Sequence, residues 1–297
     1  DGARAWTQDV PLARFEIRGP VSAAVKTGDE TLTLRQGEEI AIRAAANGAD
    51  RVEIKDAPIV FGGYGVVAPE RNWDDFKGMD LSGKIVMVLV NDPDFETGEG
   101  DFGGKAMTYY GRWTYKYEEA ARQGALGLLV IHESAPASYG WATVKNSNTN
   151  EIFDIIRAEP AKAHVPLEGW VQRDVAADLL ARAGLDFETL KTQAQSRDFQ
   201  PRVLEGVSFS SAFDVDVRQI VSQNVVAEAT GAARPQERII YTSHWDHLGI
   251  GAPDASGDTI YNGAVDNAAG IAAVIEIAEA FAKGPAPDRS VNFLLVT

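Results

Sequence analysis

Ile85-Val86-Met87-Val88-Leu89-Val90, entered through the turn Leu81-Ser82-Gly83-Lys84, decides the fold class of this chain. A continuous apolar run of strand length reads as a β-strand covered on both faces. Downstream, Tyr115–Gln123 holds helix formers and stops at Gly124, and Leu126–Ile131 repeats the strand-sized apolar run. Strand, helix, strand is an α/β signature. Between the two strands, Asn91–Gly111 is rich in Gly and Asp and reads as a loop long enough to be functional. Beyond them, Ala137–Asn150 reads as a second polar loop, Arg173–Ala183 as an amphipathic helix closed by Gly184, and Thr192–Arg202 as a linker. Upstream, Val21–Lys26 and Thr31–Leu34 flank Thr27-Gly28-Asp29-Glu30, which predicts a hairpin.

A second unit opens near Val207. Val207, Phe209, Ser211, Phe213, Val215 and Val217 alternate with mostly polar neighbours, the period of a half-buried strand. Val225–Ala229 and Arg238–Thr242 on either side of Gly231–Pro235 predict another hairpin, Asn267–Lys283 a helix ended by Gly284-Pro285, and Val291–Thr297 a last strand. With 297 residues, 45% hydrophobic and 24% charged, the chain has room for about two globular domains and is not a disordered polymer. Its net charge of −15 argues against nucleic acid and anionic membranes as partners. No apolar run reaches the roughly 18 residues of a membrane span. A periplasmic or secreted location is expected, although acidic surfaces are common there and the sign of the charge excludes partners better than it names one. Zero cysteines exclude disulfides and thiolate chemistry, and leave only His, Asp and Glu as strong metal ligands.

Two of the four histidines fall in Ser243-His244-Trp245-Asp246-His247-Leu248-Gly249, directly after the apolar strand Arg238–Thr242. The carboxyl end of a strand is where α/β sheets place their binding crevices. Asp266 waits at the next connection, before the last helix, where a helix N-cap is the ordinary role for an Asp. An imidazole with carboxylates and no competing thiolate suits Zn²⁺, Mn²⁺ or Co²⁺, and a surface hydrogen-bond pair is the plain alternative. Gly98-Glu99-Gly100-Asp101-Phe102-Gly103 fits a dinucleotide fingerprint in letters only, since its acids would face a pyrophosphate.

These residues carry a resemblance. His244-Trp245-Asp246-His247-Leu248-Gly249 and Asn262-Gly263-Ala264-Val265-Asp266-Asn267 resemble the two leading motifs of the M28 family of zinc peptidases. The resemblance implies two zinc ions, with His244 a ligand of one, Asp246 orienting that histidine from behind, and Asp266 bridging both. His247 matches a frequent motif residue that is not implied as a ligand. The stretch from Phe61 to Pro166 is similar to a protease-associated domain through Gly63-Tyr64-Gly65, Pro69-Glu70, Leu81–Val86 and Tyr117–Ala125.

The expected architecture is therefore a mixed-sheet α/β zinc-peptidase catalytic domain, present in part, with an inserted α/β protease-associated domain. Residues 1–56 are expected as a β-rich lead-in to the catalytic domain, 57–204 as the insert with its following helix and linker, and 205–297 as the first part of the catalytic domain. The family's later Glu-Glu pair, Asp and His have no counterpart before Thr297, so the general base and remaining ligands are expected from the missing remainder of the same protein. Val291–Thr297 would then stand as an exposed edge. The resemblance implies an aminopeptidase acting on peptide N-termini. A non-catalytic interaction module on a peptidase fold, and a carboxypeptidase or cyclase on the same scaffold, are the alternatives. Retained His244, Asp246 and Asp266 speak against the first, and pocket residues from the remainder would decide the second.

Overall fold

The computed structural model describes residues 6–251, 253, 254 and 256–297. Its strands are β1 (Thr7–Thr27), β2 (Glu30–Thr33), β3 (Ile40–Ile42), β4 (Arg51–Phe61), β5 (Val67–Ala68), β6 (Trp73–Asp74), β7 (Ile85–Leu89), β8 (Gly127–His132), β9 (Ile152–Ile155), β10 (Leu167–Gln172), β11 (Arg202–Ala229), β12 (Arg234–His244), β13 (Gly249–Ile250), β14 (Ile260–Tyr261) and β15 (Arg289–Val296). The helices are α1 (Trp113–Arg122), α2 (Ser134–Ala137), α3 (Trp141–Asn148), α4 (Arg173–Arg182), α5 (Phe187–Gln193) and α6 (Ala269–Lys283). The chain divides into two compact units, Arg14–Arg218 and Asp1–Ala13 with Gln219–Thr297. β1 and β11 each run through a boundary between them. Among the described residues, no helix is long and apolar enough to cross a membrane.

In the larger unit the strand order is β11-β4-β7-β8-β10-β3. β4, β7, β8 and β10 run parallel, and the two outer strands are antiparallel to their neighbours. Every residue of β7 and β8 is buried, as the unbroken apolar runs require. Val86, Val88, Leu128, Val130 and Trp170 form the core with Phe76 and Tyr117, each buried aliphatic or aromatic side chain contributing about 1.5–3 kcal/mol. The first hairpin forms as expected, Thr27 pairing with Glu30 across the turn Gly28-Asp29.

The long segment 91–111 is irregular but anchored. The buried Lys116 ammonium donates to the carbonyls of Tyr64 (2.6 Å), Asn91 (3.0 Å) and Tyr110 (3.3 Å), so one cation clasps both ends of the loop. Inside it, Phe102 packs edge-on against Trp73 and Tyr110. The second expected loop is corrected: within Ala137–Asn150, residues Trp141–Asn148 are helical. Trp141, Val144 and Asn148 share one helix face against the core, and the Asn and Ser residues that suggested a loop fill the rest.

In the smaller unit the order is β12-β15-β11. This corrects the expected second hairpin, because β15 lies between its two arms, antiparallel to β11 and parallel to β12. The turn after β11 wraps the start of β15 instead of closing a hairpin. Ser290 Oγ accepts from Gly231 N (3.1 Å) and donates to the Pro235 carbonyl (2.8 Å), and a Cβ on Gly231 would sit 2.5 Å from the Arg289 carbonyl carbon. β15 is thus an interior strand and not the expected edge, while β12 ends the order. β12, α6 and β15 form a β-α-β crossover whose core is Val274, Val291 and Phe293 with Ile277, Ala278 and Phe281.

Candidate functional site

β12 delivers His244 at its carboxyl end, where pairing with β15 finishes at Val296. The chain then turns through Trp245–Leu248, and the α6 crossover returns Asp266 beside it. Expected to start at Asn267, the helix starts at Ala269, and Asp266 (φ −118°, ψ 87°) is outside helical geometry. Asp266 therefore does not cap α6. That task falls to Asn267, whose Oδ1 accepts from Gly270 N at 3.1 Å, and the Asp266 carboxylate is free to face the β12 end.

His244 is held between two carboxylates. Its Nδ1 lies 3.1 Å from Asp246 Oδ1 and 3.0 Å from the Asp246 carbonyl, and its Nε2 lies 3.0 Å from Asp266 Oδ1. The other Asp266 oxygen is 3.9 Å from His247 Nδ1. Burial pulls the His244 imidazole down, but the Asp246 carbonyl and carboxylate and the Asp266 charge outweigh it and hold the ring above the ordinary histidine value. The cluster is open to water: the side chains of Asp246 and Asp266 are 59% and 70% exposed. Trp245 is half exposed and donates its indole N–H to the Gln223 carbonyl at 3.0 Å, which fixes it beside the cluster.

An imidazole nitrogen and a carboxylate oxygen on one tetrahedral ion, each about 2.0–2.2 Å from it, stand about 3.4 Å apart. The 3.0 Å between His244 Nε2 and Asp266 Oδ1 is close to that span, so this donor pair fits a single divalent ion. Among the described residues, no three or more His, Cys, Asp or Glu side chains are arranged to hold a metal. The pair is a partial coordination site.

The other two histidines lie elsewhere. His132 is buried and hydrogen bonds through Nε2 to the Tyr139 carbonyl. His164 sits in a second two-carboxylate arrangement in the larger unit, with Nδ1 2.9 Å from Glu168 Oε1 and Nε2 2.9 Å from Asp154 Oδ2. Nothing in the sequence reading singled it out. The one available signal was the four-residue spacing of His164 and Glu168, which is too common to notice.

Residues 224–297 match the family model for peptidase family M28, which covers both site motifs. The segment that builds this site is thus M28-like in sequence. Among solved structures the chain is similar to an aminopeptidase from Aneurinibacillus sp. strain AM-1, at 18% identity and a TM-score of 0.44, over 97% of this chain and 52% of that one. It is also similar to a peptidase M28 precursor from Shewanella amazonensis SB2B, at 18% identity and a TM-score of 0.44, over 98% and 53%. The chain spans about half the length of these two structures. No curated protein matches it.

Proposed function

We propose that residues 205–297 belong to the catalytic domain of a zinc-dependent aminopeptidase with a two-zinc site, and that residues 57–204 are a protease-associated domain attached to it. The observation that carries the reading is the meeting of His244 Nε2 and Asp266 Oδ1 at a strand's carboxyl end, with Asp246 on the far nitrogen of the same ring. His244 and Asp266 are the residues that would hold metal. Zinc there would supply a Lewis acid and ease the deprotonation of water to the hydroxide that attacks a peptide carbonyl near neutral pH.

The chain's own residues prepare that chemistry. Asp246 accepts the Nδ1 proton of His244, which leaves Nε2, the nitrogen facing Asp266, as the one a metal would take in place of a proton. Asp266 presents one oxygen toward His244 and the other toward His247, so its second oxygen would remain available when the first holds a metal with His244. A hydrolytic metal takes about three protein ligands, so the remaining donors and the general base come from polypeptide outside this cluster.

The test is hydrolysis of an aminoacyl reporter by the full-length natural protein. The reading expects turnover that a chelator abolishes and zinc restores, and that His244→Ala and Asp266→Ala each remove. Turnover by this chain alone that survives His244→Ala overturns it.

A further inference from the structure

Two glycines bracket Asp266, and each lies against the β12 end. Gly263, at φ +63°, would place a Cβ 2.7 Å from the Asp266 carbonyl oxygen and 2.9 Å from His247 Cγ. Gly270, in the first turn of α6, would place one 2.5 Å from Ser243 Oγ and against Asn267 Oδ1. Real Cβ atoms do not approach other atoms this closely, so a methyl at either position must move something. The two segments pressed together are residues 243–247, which carry His244, and residues 263–270, which carry Asp266.

Asn267 lies close to Gly270 because its Oδ1 accepts from the Gly270 amide, but the approach of Gly270 to Ser243, and of Gly263 to His247, serves no need of the helix. Alanine is a better helix former than glycine, so Gly270 weakens α6 locally. Ser243 Oγ is buried and has no hydrogen-bond partner among the described residues, so this hydroxyl gains nothing visible from the close approach. What the approach achieves is distance: with the first turn of α6 down on Ser243, the preceding turn brings Asp266 Oδ1 to 3.0 Å from His244 Nε2.

We propose that Gly270, with Gly263, is a positioning residue that sets the separation of His244 and Asp266 by letting the 263–270 turn close onto the end of β12. The inference rests on the reading of His244 and Asp266 as the metal-holding pair, and it concerns this chain's own backbone. A Cβ at position 270 displaces the Ser243 hydroxyl and the Asn267 amide that holds the first turn of α6, and as Asn267 shifts, the adjoining Asp266 leaves His244 while the sheet stays intact.

The experiment is nitrogen NMR of the His244 ring in the metal-free full chain, for the natural sequence and for Gly270→Ala, in the native background and in a Ser243→Ala/Asn267→Ser background. The second background removes Ser243 Oγ and draws back the oxygen at 267 while leaving an acceptor there. The expected result is loss of the Nε2 hydrogen-bond signature in Gly270→Ala with the sheet amides unmoved, and its recovery when Gly270→Ala is placed in the cleared background. Should Gly270→Ala unfold the smaller unit, Ser243→Thr adds a methyl to the same contact from the strand side and is expected to give the same loss. A Gly270→Ala or Ser243→Thr chain with an unchanged His244 signature overturns the proposal, as does an equal loss in both backgrounds. A natural chain with no Nε2 signature at all overturns the pairing itself, and so is told apart from failure of the glycine argument.

Discussion

The chain builds the same arrangement twice, a histidine with a carboxylate on each ring nitrogen, and treats the two copies in opposite ways. In the larger unit His164 lies between Glu168 and Asp154, whose side chains are 1% and 19% exposed, and Arg43 and Arg157 stand behind the acids. In the smaller unit His244 lies between Asp246 and Asp266, both mostly exposed, and no Lys or Arg ion pair with either acid is found among the described residues. Both acids of the first cluster are matched by cations. Burial lowers the His164 affinity for its proton, yet Asp154 and Glu168 raise it further, to about 9. Burial raises Asp154, but His164 and Arg157 bring it down to about 2. The second cluster keeps excess negative charge facing water, which costs little there and leaves capacity for a cation. Geometry alone does not separate the two clusters; burial and surplus charge do.

Breaking each copy should therefore have opposite consequences. Glu168→Ala leaves Arg43 and a protonated His164 inside the larger unit without their acid and is expected to cost about 3–5 kcal/mol in a urea titration. Zinc binding should be unaffected. Asp266→Ala removes an exposed carboxylate, and its unfolding free energy in the same urea titration should stay within about 0.5 kcal/mol of the natural chain. That change should abolish zinc-dependent turnover of the full-length protein. If Glu168→Ala also abolishes zinc binding while the unit stays folded, the contrast between the clusters fails.

Asp246→Asn sharpens the second copy. Asparagine keeps the shape but no longer accepts the Nδ1 proton as an anion, so metal affinity should fall about 10–100-fold, measured by calorimetric titration of the full-length protein. The fold should be retained.

A smaller effect tests the first copy by pH. His164 has a folded value raised above its unfolded one, so its contribution is complete below about pH 6.5 and is lost as pH climbs through about 9. The stability difference between the natural chain and His164→Gln should shrink across that window, by about 3 kcal/mol at most. Asp154 behaves in the opposite sense: its contribution is present above about pH 3.8 and disappears as pH falls through about 2. A His164→Gln difference that stays flat from about pH 6 to about pH 9.5 would contradict the ionic reading of this cluster.

What the sequence made legible was what short-range periodicity carries. β7, β8, α1 and the β1–β2 hairpin are local patterns, and they stand where the apolar runs and turn residues put them. The placement of β15 between β11 and β12 was not legible, because adjacent β-prone runs read alike whether they pair or are separated by a strand from later in the chain. α3 was hidden by its own Asn and Ser residues. At the site, the residue types and their position at a strand end were readable, whereas the release of Asp266 from capping duty depends on Asn267 taking the Gly270 amide. His164 escaped notice because Asp154 and Glu168 reach it from either side of a turn, a convergence that only the folded chain displays.

The most direct test of the central claim is a zinc titration of the 297-residue chain followed through the four histidine rings. If His244 and Asp266 are the metal-holding pair, the His244 ring shifts first, weakly but saturably, Asp266→Ala removes the shift, and His164 does not respond. Zinc that leaves His244 unmoved, or that moves His164 in its place, contradicts the account.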